Sequence, residues 1–323
     1  MLGNETTILK FILLGFGELP EFQILLFLLF LIIYIVTLTG NILILAIVVF
    51  NCHLRTPMYF FLGNLSFLEA CCSSNIFPRM LLALLTGDGT LSYSHCIMQW
   101  YLFGSLEATE CCLLCVMSYD RYLAICRPLH YATIMSPWIC VQLAAASWIN
   151  GFVGFSILLT FILQLNFCGP SEIDHYVCDN FPLLKLSCSD TSILEIMSYV
   201  VAVIFTLPPF LLTLTSYIYI IAAILKIPST TGRQKAFSTC SSHLVVVSIF
   251  YGSLMIVYML PKNEITYDMQ KFSSLLYTVL PPLVNPFIYS LRNKEVKAAL
   301  RNNIGRLMSY KANSIQLVNV VNV

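Results

Sequence analysis

Long stretches without a single charged residue constrain this chain more than any other feature. Residues 22–54, 128–171, 196–225, 236–261 and 272–291 contain no Asp, Glu, Lys or Arg. A helix crossing the hydrocarbon of a bilayer needs about 20 mostly apolar residues, and each run supplies them. Two further runs of sufficient length carry charge: 58–85 holds Glu69 and Arg79, and 93–119 holds Glu107 and Glu110. The expectation is an all-α membrane protein, a bundle of seven spanning helices. Composition agrees: 58% of the residues are hydrophobic, only 10% are charged, and mean hydropathy is +0.82. A net charge of +1 offers no electrostatic case for a nucleic-acid partner. No nucleotide loop or catalytic constellation is present, which points away from an enzyme.

Lys and Arg set the orientation of such a bundle, because cytoplasmic loops collect them. Sorting the loops alternately puts Arg55, Arg121, Arg127, Lys226, Arg233, Lys235, Arg292, Lys294, Lys297, Arg301, Arg306 and Lys311 on one side. Lys10, Arg79, Lys185, Lys262 and Lys271 fall on the other. The richer side is expected to be cytoplasmic, with the N-terminus outside. The expected organisation is an extracellular N-terminus over 1–21, a seven-helix spanning domain over 22–291 and a cytoplasmic tail over 292–323. Met1 to Glu21 lacks the basic start and cleavage site of a signal peptide, so the first span reads as an uncleaved signal.

Asn4-Glu5-Thr6 is a glycosylation sequon on the outer side, with Asn4 as acceptor; the second sequon, at Asn64, lies inside a span and is expected to be unused. Cys168, Cys178 and Cys188 lie in the loop between spans four and five, on the side where disulfides persist. Val296, Leu300 and Ile304 recur every four residues with basic residues between them, the pattern of a short amphipathic helix on the inner leaflet.

Several strings carry a resemblance. Asp120-Arg121-Tyr122 ends span three inside Met117-Ser118-Tyr119-Asp120-Arg121-Tyr122-Leu123-Ala124-Ile125-Cys126. Asn285-Pro286-Phe287-Ile288-Tyr289 lies in span seven, where Pro286 removes a helix hydrogen bond and Asn285 is placed to serve the freed backbone groups. Residues 56–62 (TPMYFFL), residues 235–244 (KAFSTCSSHL), Gly40-Asn41, Phe250-Tyr251-Gly252 and Leu291-Arg292-Asn293 stand on the matching spans. Together they resemble the odorant receptors, a branch of the rhodopsin-like G-protein-coupled receptors, from about Phe11 to Leu300. The chain departs from the family strings at Arg55, where His is usual, at Glu69, where Asp is usual, and at Glu107, where a small or neutral residue is expected.

The resemblance implies a receptor for small volatile organic ligands that activates a stimulatory, olfactory-type heterotrimeric G protein and raises cyclic AMP. It implies a disulfide from Cys96 to Cys178, leaving Cys168 and Cys188 to pair. It implies a pocket between spans three, five, six and seven, lined by Phe103, Gly104, Glu107, Ala108, Val201, Ala202, Phe205, Tyr251, Leu254, Met255, Tyr258, Leu275 and Thr278. In the implied switch, Arg121 leaves Asp120 as the bundle opens, beside Tyr122, and meets Tyr217 and Tyr289. Glu107 is expected to favour ligands with a donor or an amine and to repel carboxylates. Glu69 and Glu110, acids deep in the membrane, are expected to hold a sodium ion or share a proton and so stabilise the resting state; no other cofactor is implied. His175-Tyr176-Val177-Cys178-Asp179 also resembles a suggested metal pattern, but a disulfide at Cys178 would remove its thiolate. A channel or transporter would need a continuous polar path; the three glutamates supply none unless Arg79 reaches inward. A receptor of another sensory or endocrine branch is opposed by the 235–244 string.

Overall fold

The structure is a computed structural model describing residues 10–17, 21–51, 54–168, 171–259, 264–292 and 296. Side chains at 235, 236, 238, 239, 242, 259, 264–270 and 289–292 are not described. Asn4 and the proposed amphipathic helix after span seven, Val296 excepted, lie outside these residues.

Seven long helices account for the seven runs. They are α1 (Gln23–Phe50), α2 (Pro57–Thr86), α3 (Tyr93–Cys126), α5 (Pro137–Ile162), α7 (Ser192–Leu225), α8 (Thr230–Met259) and α9 (Glu264–Arg292). Two short helices, α4 (Pro128–Ile134) and α6 (Asn180–Leu184), lie in the connections. The run 128–171 is therefore two helices and a loop: Ser136 caps the second, its hydroxyl accepting from Ile139 N, and Pro137 fills the first turn. Helices also outrun the charge-free limits. α3 continues through Asp120 and Arg121 to Cys126, because a helix leaving the hydrocarbon needs backbone hydrogen bonds rather than apolar side chains.

The burial pattern is that of a bundle in lipid. Ile24, Ile32, Phe50 and Leu212 are 60–82% exposed, whereas Asn41, Glu69, Thr109, Ser118 and Asn285 are buried. Apolar side chains face outward and polar ones inward because hydrocarbon, not water, surrounds the helices. α3 runs through the middle and touches α2, α5, α7 and α8, while α1 packs on α2 and α9. Val296 is buried against Ile44, Ile47, Leu54, Tyr59 and Leu62, which fixes the chain leaving α9 beneath α1 and α2.

A small sheet caps one end, and nothing in the helical reading anticipates it. β1 (Lys10–Leu13) pairs antiparallel with β2 (Thr90–Ser92) and parallel with β3 (Glu172–Ile173), in the order β2-β1-β3. β1 alternates exposed and buried residues, as a half-buried strand does. It sends Phe11 inward against Tyr93 and Phe167, with ring centroids 6.1 and 5.6 Å away.

Candidate functional site

The loop between α5 and α7 folds over the bundle mouth as a lid. Cys96, at the start of α3, is bonded to Cys178, and Cys168 to Cys188, with Cα separations of 5.5 and 5.9 Å; both fall in the range that disulfides span. Between the bridges the lid grips three helices. Cys178 N donates to Gln99 Oε1 at 3.1 Å, and Gln99 Nε2 donates to the Asn75 carbonyl at 3.0 Å. The Tyr176 hydroxyl bonds to Ser274 Oγ and Thr278 Oγ1 at 2.9 and 3.1 Å. Lys271 pairs with Asp174 at 2.6 Å. Phe16 stacks between Phe30 and Tyr176, at 5.3 and 5.7 Å, and so ties β1 to α1 and the lid.

His175, within the lid, is 4% exposed. Its Nδ1 accepts from Val177 N at 3.2 Å, and its Nε2 meets Ser274 Oγ at 3.3 Å. Burial first, and then the Lys271 charge, push its pKa down to about 4. With Cys178 in a disulfide and both imidazole nitrogens engaged, the His175–Asp179 pattern acts here as lid structure. Among the described residues no group of three or more His, Cys, Asp or Glu is arranged to hold a metal.

Beneath the lid lies a cavity of ≈ 70 Å³. Phe103, Gly104, Glu107, Ala108, Val201, Ala202, Phe205, Leu254 and Tyr258 line it, as do Trp100, Cys111, Phe155, Leu158, Asp179, Asn180, Phe181, Ser198, Tyr199 and Thr206. The wall opposite α7 and α8 is thus α5, the fourth span, and not α9. The reason is local. Gly104 has no side chain, and the Phe155 ring occupies the space its Cβ would take. On the α9 side, Tyr277 stacks on Phe103 at 6.1 Å and meets the Tyr258 hydroxyl at 3.1 Å, sealing that face.

Four expected pocket residues do not line this cavity. Tyr251 is buried and donates to the Cys111 carbonyl at 2.8 Å. Thr278 is held by Tyr176. Met255 and Leu275 pack against the main apolar core. The lining residues of α5 and α6, Asp179, Trp100 and Cys111 on α3, and Ser198, Tyr199 and Thr206 on α7 went unnoticed in the sequence; for α5 the one available signal was Gly104 itself, which invites a large neighbour.

A second polar cluster lies deeper, where α1, α2, α3 and α9 meet. Asn285 Nδ2 donates to Glu69 Oε1. Pro286 cannot donate to the carbonyl four residues back, that of Pro282, and this carbonyl instead accepts from Asn41 Nδ2 at 3.0 Å. The expectation that Asn285 would serve the freed backbone group is therefore corrected: α1 serves it. Gly40 makes the approach possible, since a Cβ there would stand 2.8 Å from Pro286 Cβ. Glu69 Oε2, Asn41 Oδ1, Ser73 Oγ, Asn285 Oδ1 and Glu110 Oε1 are buried without hydrogen-bond partners. Arg79 points away from this cluster, donating to the carbonyls of Asp88 and Thr90, so it completes no charged path with the glutamates.

At the end of the bundle opposite the sheet, Asp120 accepts from the Tyr131 hydroxyl at 2.8 Å. Lys271–Asp174 is the ion pair found among the described residues, and Asp120 is held by the α4 tyrosine in place of Arg121. Tyr122 packs with Tyr119 and Tyr219. The Tyr217 hydroxyl meets His243 Nδ1 at 2.6 Å. The side chain of Tyr289 lies outside the described residues.

Comparison with known proteins completes the picture. A family model described as "Olfactory receptor" matches residues 30–307. Olfactory receptor 6N1 of Homo sapiens is 47% identical over 94% of this chain and 98% of its own length. Olfactory receptor 10A5 of Homo sapiens is 49% identical over 96% and 98%, and olfactory receptor 1M1 of Mus musculus is 46% identical over 95% and 98%.

Proposed function

The chain belongs to the olfactory receptor family, and from that premise we propose that small volatile organic molecules occupy the cavity beneath the lid and thereby activate a stimulatory, olfactory-type heterotrimeric G protein, raising cyclic AMP. It is a multi-pass protein of the plasma membrane, a receptor rather than an enzyme. The observation that carries the ligand reading is the cavity itself: lined largely by aromatic and aliphatic side chains, with Glu107 as its intramembrane acid. Burial and dispersion hold a small apolar molecule in such a space, and one or two polar contacts orient it.

The N-terminus and lid face outward and Asp120 faces the cytoplasm, a direction the bias of Lys and Arg supports. Ligand shifts the population toward the bundle state that binds it better. The ends of α7 and α8 then part from α3. Arg121, already without the Asp120 carboxylate, turns toward Tyr217 and Tyr289, and the opened cleft accepts the C-terminal helix of the α subunit.

The acceptor-rich cluster of Glu69, Glu110, Asn41, Ser73 and Asn285 suits a sodium ion or a shared proton, because its unpartnered oxygens need a positive partner. Bound there, a cation ties α1, α2, α3 and α9 in the resting arrangement. Glu69→Gln and Glu110→Gln should each change basal or ligand-driven signalling; no change on either count overturns this role.

A cyclic-AMP assay in cells expressing the chain tests the whole reading, with volatile alcohols, aldehydes, amines and acids as ligands. The expected result is a response that Arg121→Ala abolishes while surface expression persists. Silence in this assay and in a direct G-protein activation assay overturns it.

A further inference from the structure

The polar character of the cavity is one-sided. Among the described residues lining it there is no Lys, Arg or His. Glu107 is 8% exposed, and its Oε1 has no hydrogen-bond partner. Asn180 Oδ1 on the lid helix α6 and Ser198 Oγ on α7 line the same cavity and are likewise buried and unpartnered. The Asp179 carboxylate lines the cavity too, with one oxygen accepting from Asn180 N at 2.7 Å. Aromatic rings make up much of the remaining wall. Trp100 and Phe155 meet at 5.7 Å on one side, and Phe181 and Tyr258 at 6.3 Å on another.

These features select for one kind of ligand. Unpartnered oxygens in an apolar enclosure are satisfied by donors that the ligand brings. An aldehyde brings none, an alcohol brings one, and a carboxylate adds like charge. A primary amine brings up to three N–H groups and, as ammonium, the charge opposite to Glu107; aromatic faces attract the same cation. The ion pair has the same net charge whether the proton arrives on the amine or is held by the carboxyl, so no bare charge need enter. A quaternary ammonium lacks the N–H groups that Asn180 and Ser198 call for.

We propose that this receptor is selective for small primary amines, held as ammonium by Glu107 with Asn180 and Ser198 as further acceptors within an aromatic enclosure. The proposal rests on the reading of this cavity as the odorant site and adds the chemical class. Because α6 supplies Asn180, ligand and lid engage each other directly.

The test uses the purified full-length chain in lipid nanodiscs, titrated with pentylamine, 1-pentanol and pentanoate, with the ligand-induced rise in Tm as readout. Pentylamine should half-saturate at a concentration about tenfold below that of pentanol, the difference between a charge-assisted and a neutral hydrogen bond. Pentanoate should give no shift. Glu107→Gln should remove the amine preference while pentanol still binds, which shows the variant folded, and Glu107→Asp should retain part of it. Equal binding of amine and alcohol, an amine preference that survives Glu107→Gln, or no shift with any of the three overturns the proposal. The receptor reading fails separately: a cyclic-AMP response to alcohols alone leaves it standing and sinks the amine class. Glu107-dependent amine binding without any G-protein activation does the reverse.

Discussion

Asn41 on α1 donates its side-chain amide to the carbonyl of Pro282 on α9, 3.0 Å away, replacing the hydrogen bond that Pro286 cannot make. The same Nδ2 also donates to Thr37 O at 3.0 Å, and the residue is fully buried. One side chain therefore repairs a broken helix in another span, and Gly40 keeps the two helices close enough for it to do so.

Removing that donor strands a buried carbonyl, a loss of about 1–3 kcal/mol. Asn41→Ala should lower Tm in nanodiscs accordingly. The revealing comparison is in a Pro286→Ala background. There residue 286 regains its N–H, the helix bonds its own Pro282 carbonyl, and Asn41→Ala should cost measurably less. Equal costs in the two backgrounds would show that Asn41 acts through something other than this carbonyl.

The lid should respond to acid. The folded pKa of His175 is about 4, below its ordinary value of 6.5. Between those values the opened lid takes up a proton that the closed lid refuses, so closure weakens as pH falls from about 6.5 to 4 and levels off below. The full span is worth about 3 kcal/mol. The charged groups nearest the imidazole are Lys271, which opposes its protonation, and Asp174, which favours it. Once exchange rates are corrected for the intrinsic pH dependence of amide exchange, protection over residues 172–179 should fall as pH is lowered across that window, and His175→Asn should flatten the dependence.

The membrane bundle was legible in the sequence because the bilayer imposes a length and a polarity on every span, and both are written in residues 22–54 or 196–225 without reference to any other part of the chain. The features that escaped notice depend on pairs far apart in sequence. β1 is four residues long, and its partners at 90–92 and 172–173 are loop segments; nothing local marks them as strands. Pro286 announced a freed carbonyl, but not that α1 would reach it. Phe103, Gly104, Glu107, Ala108, Val201, Ala202 and Phe205 came from the family resemblance, with helical spacing agreeing for the four on α3, whereas Phe155 on α5 entered because Gly104 left room, a relation that no single helix reveals.

Two glycines facing the α3–α5 contact should behave differently. A Cβ at Gly151 would stand 2.6 Å from the Ser105 carbonyl, which is backbone and cannot rotate away. Gly151→Ala should force α5 off α3 and lower stability by about 1–3 kcal/mol. A Cβ at Gly104 would meet the Phe155 ring, which can turn toward the cavity. Gly104→Ala should therefore leave Tm close to the parent value and abolish ligand-induced stabilisation. A large Tm loss at Gly104 would show that the ring has nowhere to go.

Tyr217 and His243 join α7 to α8 near the Asp120 end, each 3% exposed, with their rings stacked at 5.8 Å. His243 Nε2 has no hydrogen-bond partner, so the 2.6 Å contact at Nδ1 is the polar anchor seen for this ring. Tyr217→Phe or His243→Phe alone should each cost about 1–3 kcal/mol, since each removes a hydrogen bond between buried groups. The double substitution should cost less than the two singles together. Their effects on signalling should differ in sign. If Tyr217 leaves His243 to meet Arg121 when the bundle opens, His243→Phe removes the competing contact and basal cyclic AMP rises. Tyr217→Phe removes the group from both partnerships, and the ligand-driven response falls without a rise in basal signal. A rise in basal signal from both variants would mean that the link only holds the helices shut, and that Tyr217 has no part in the open state.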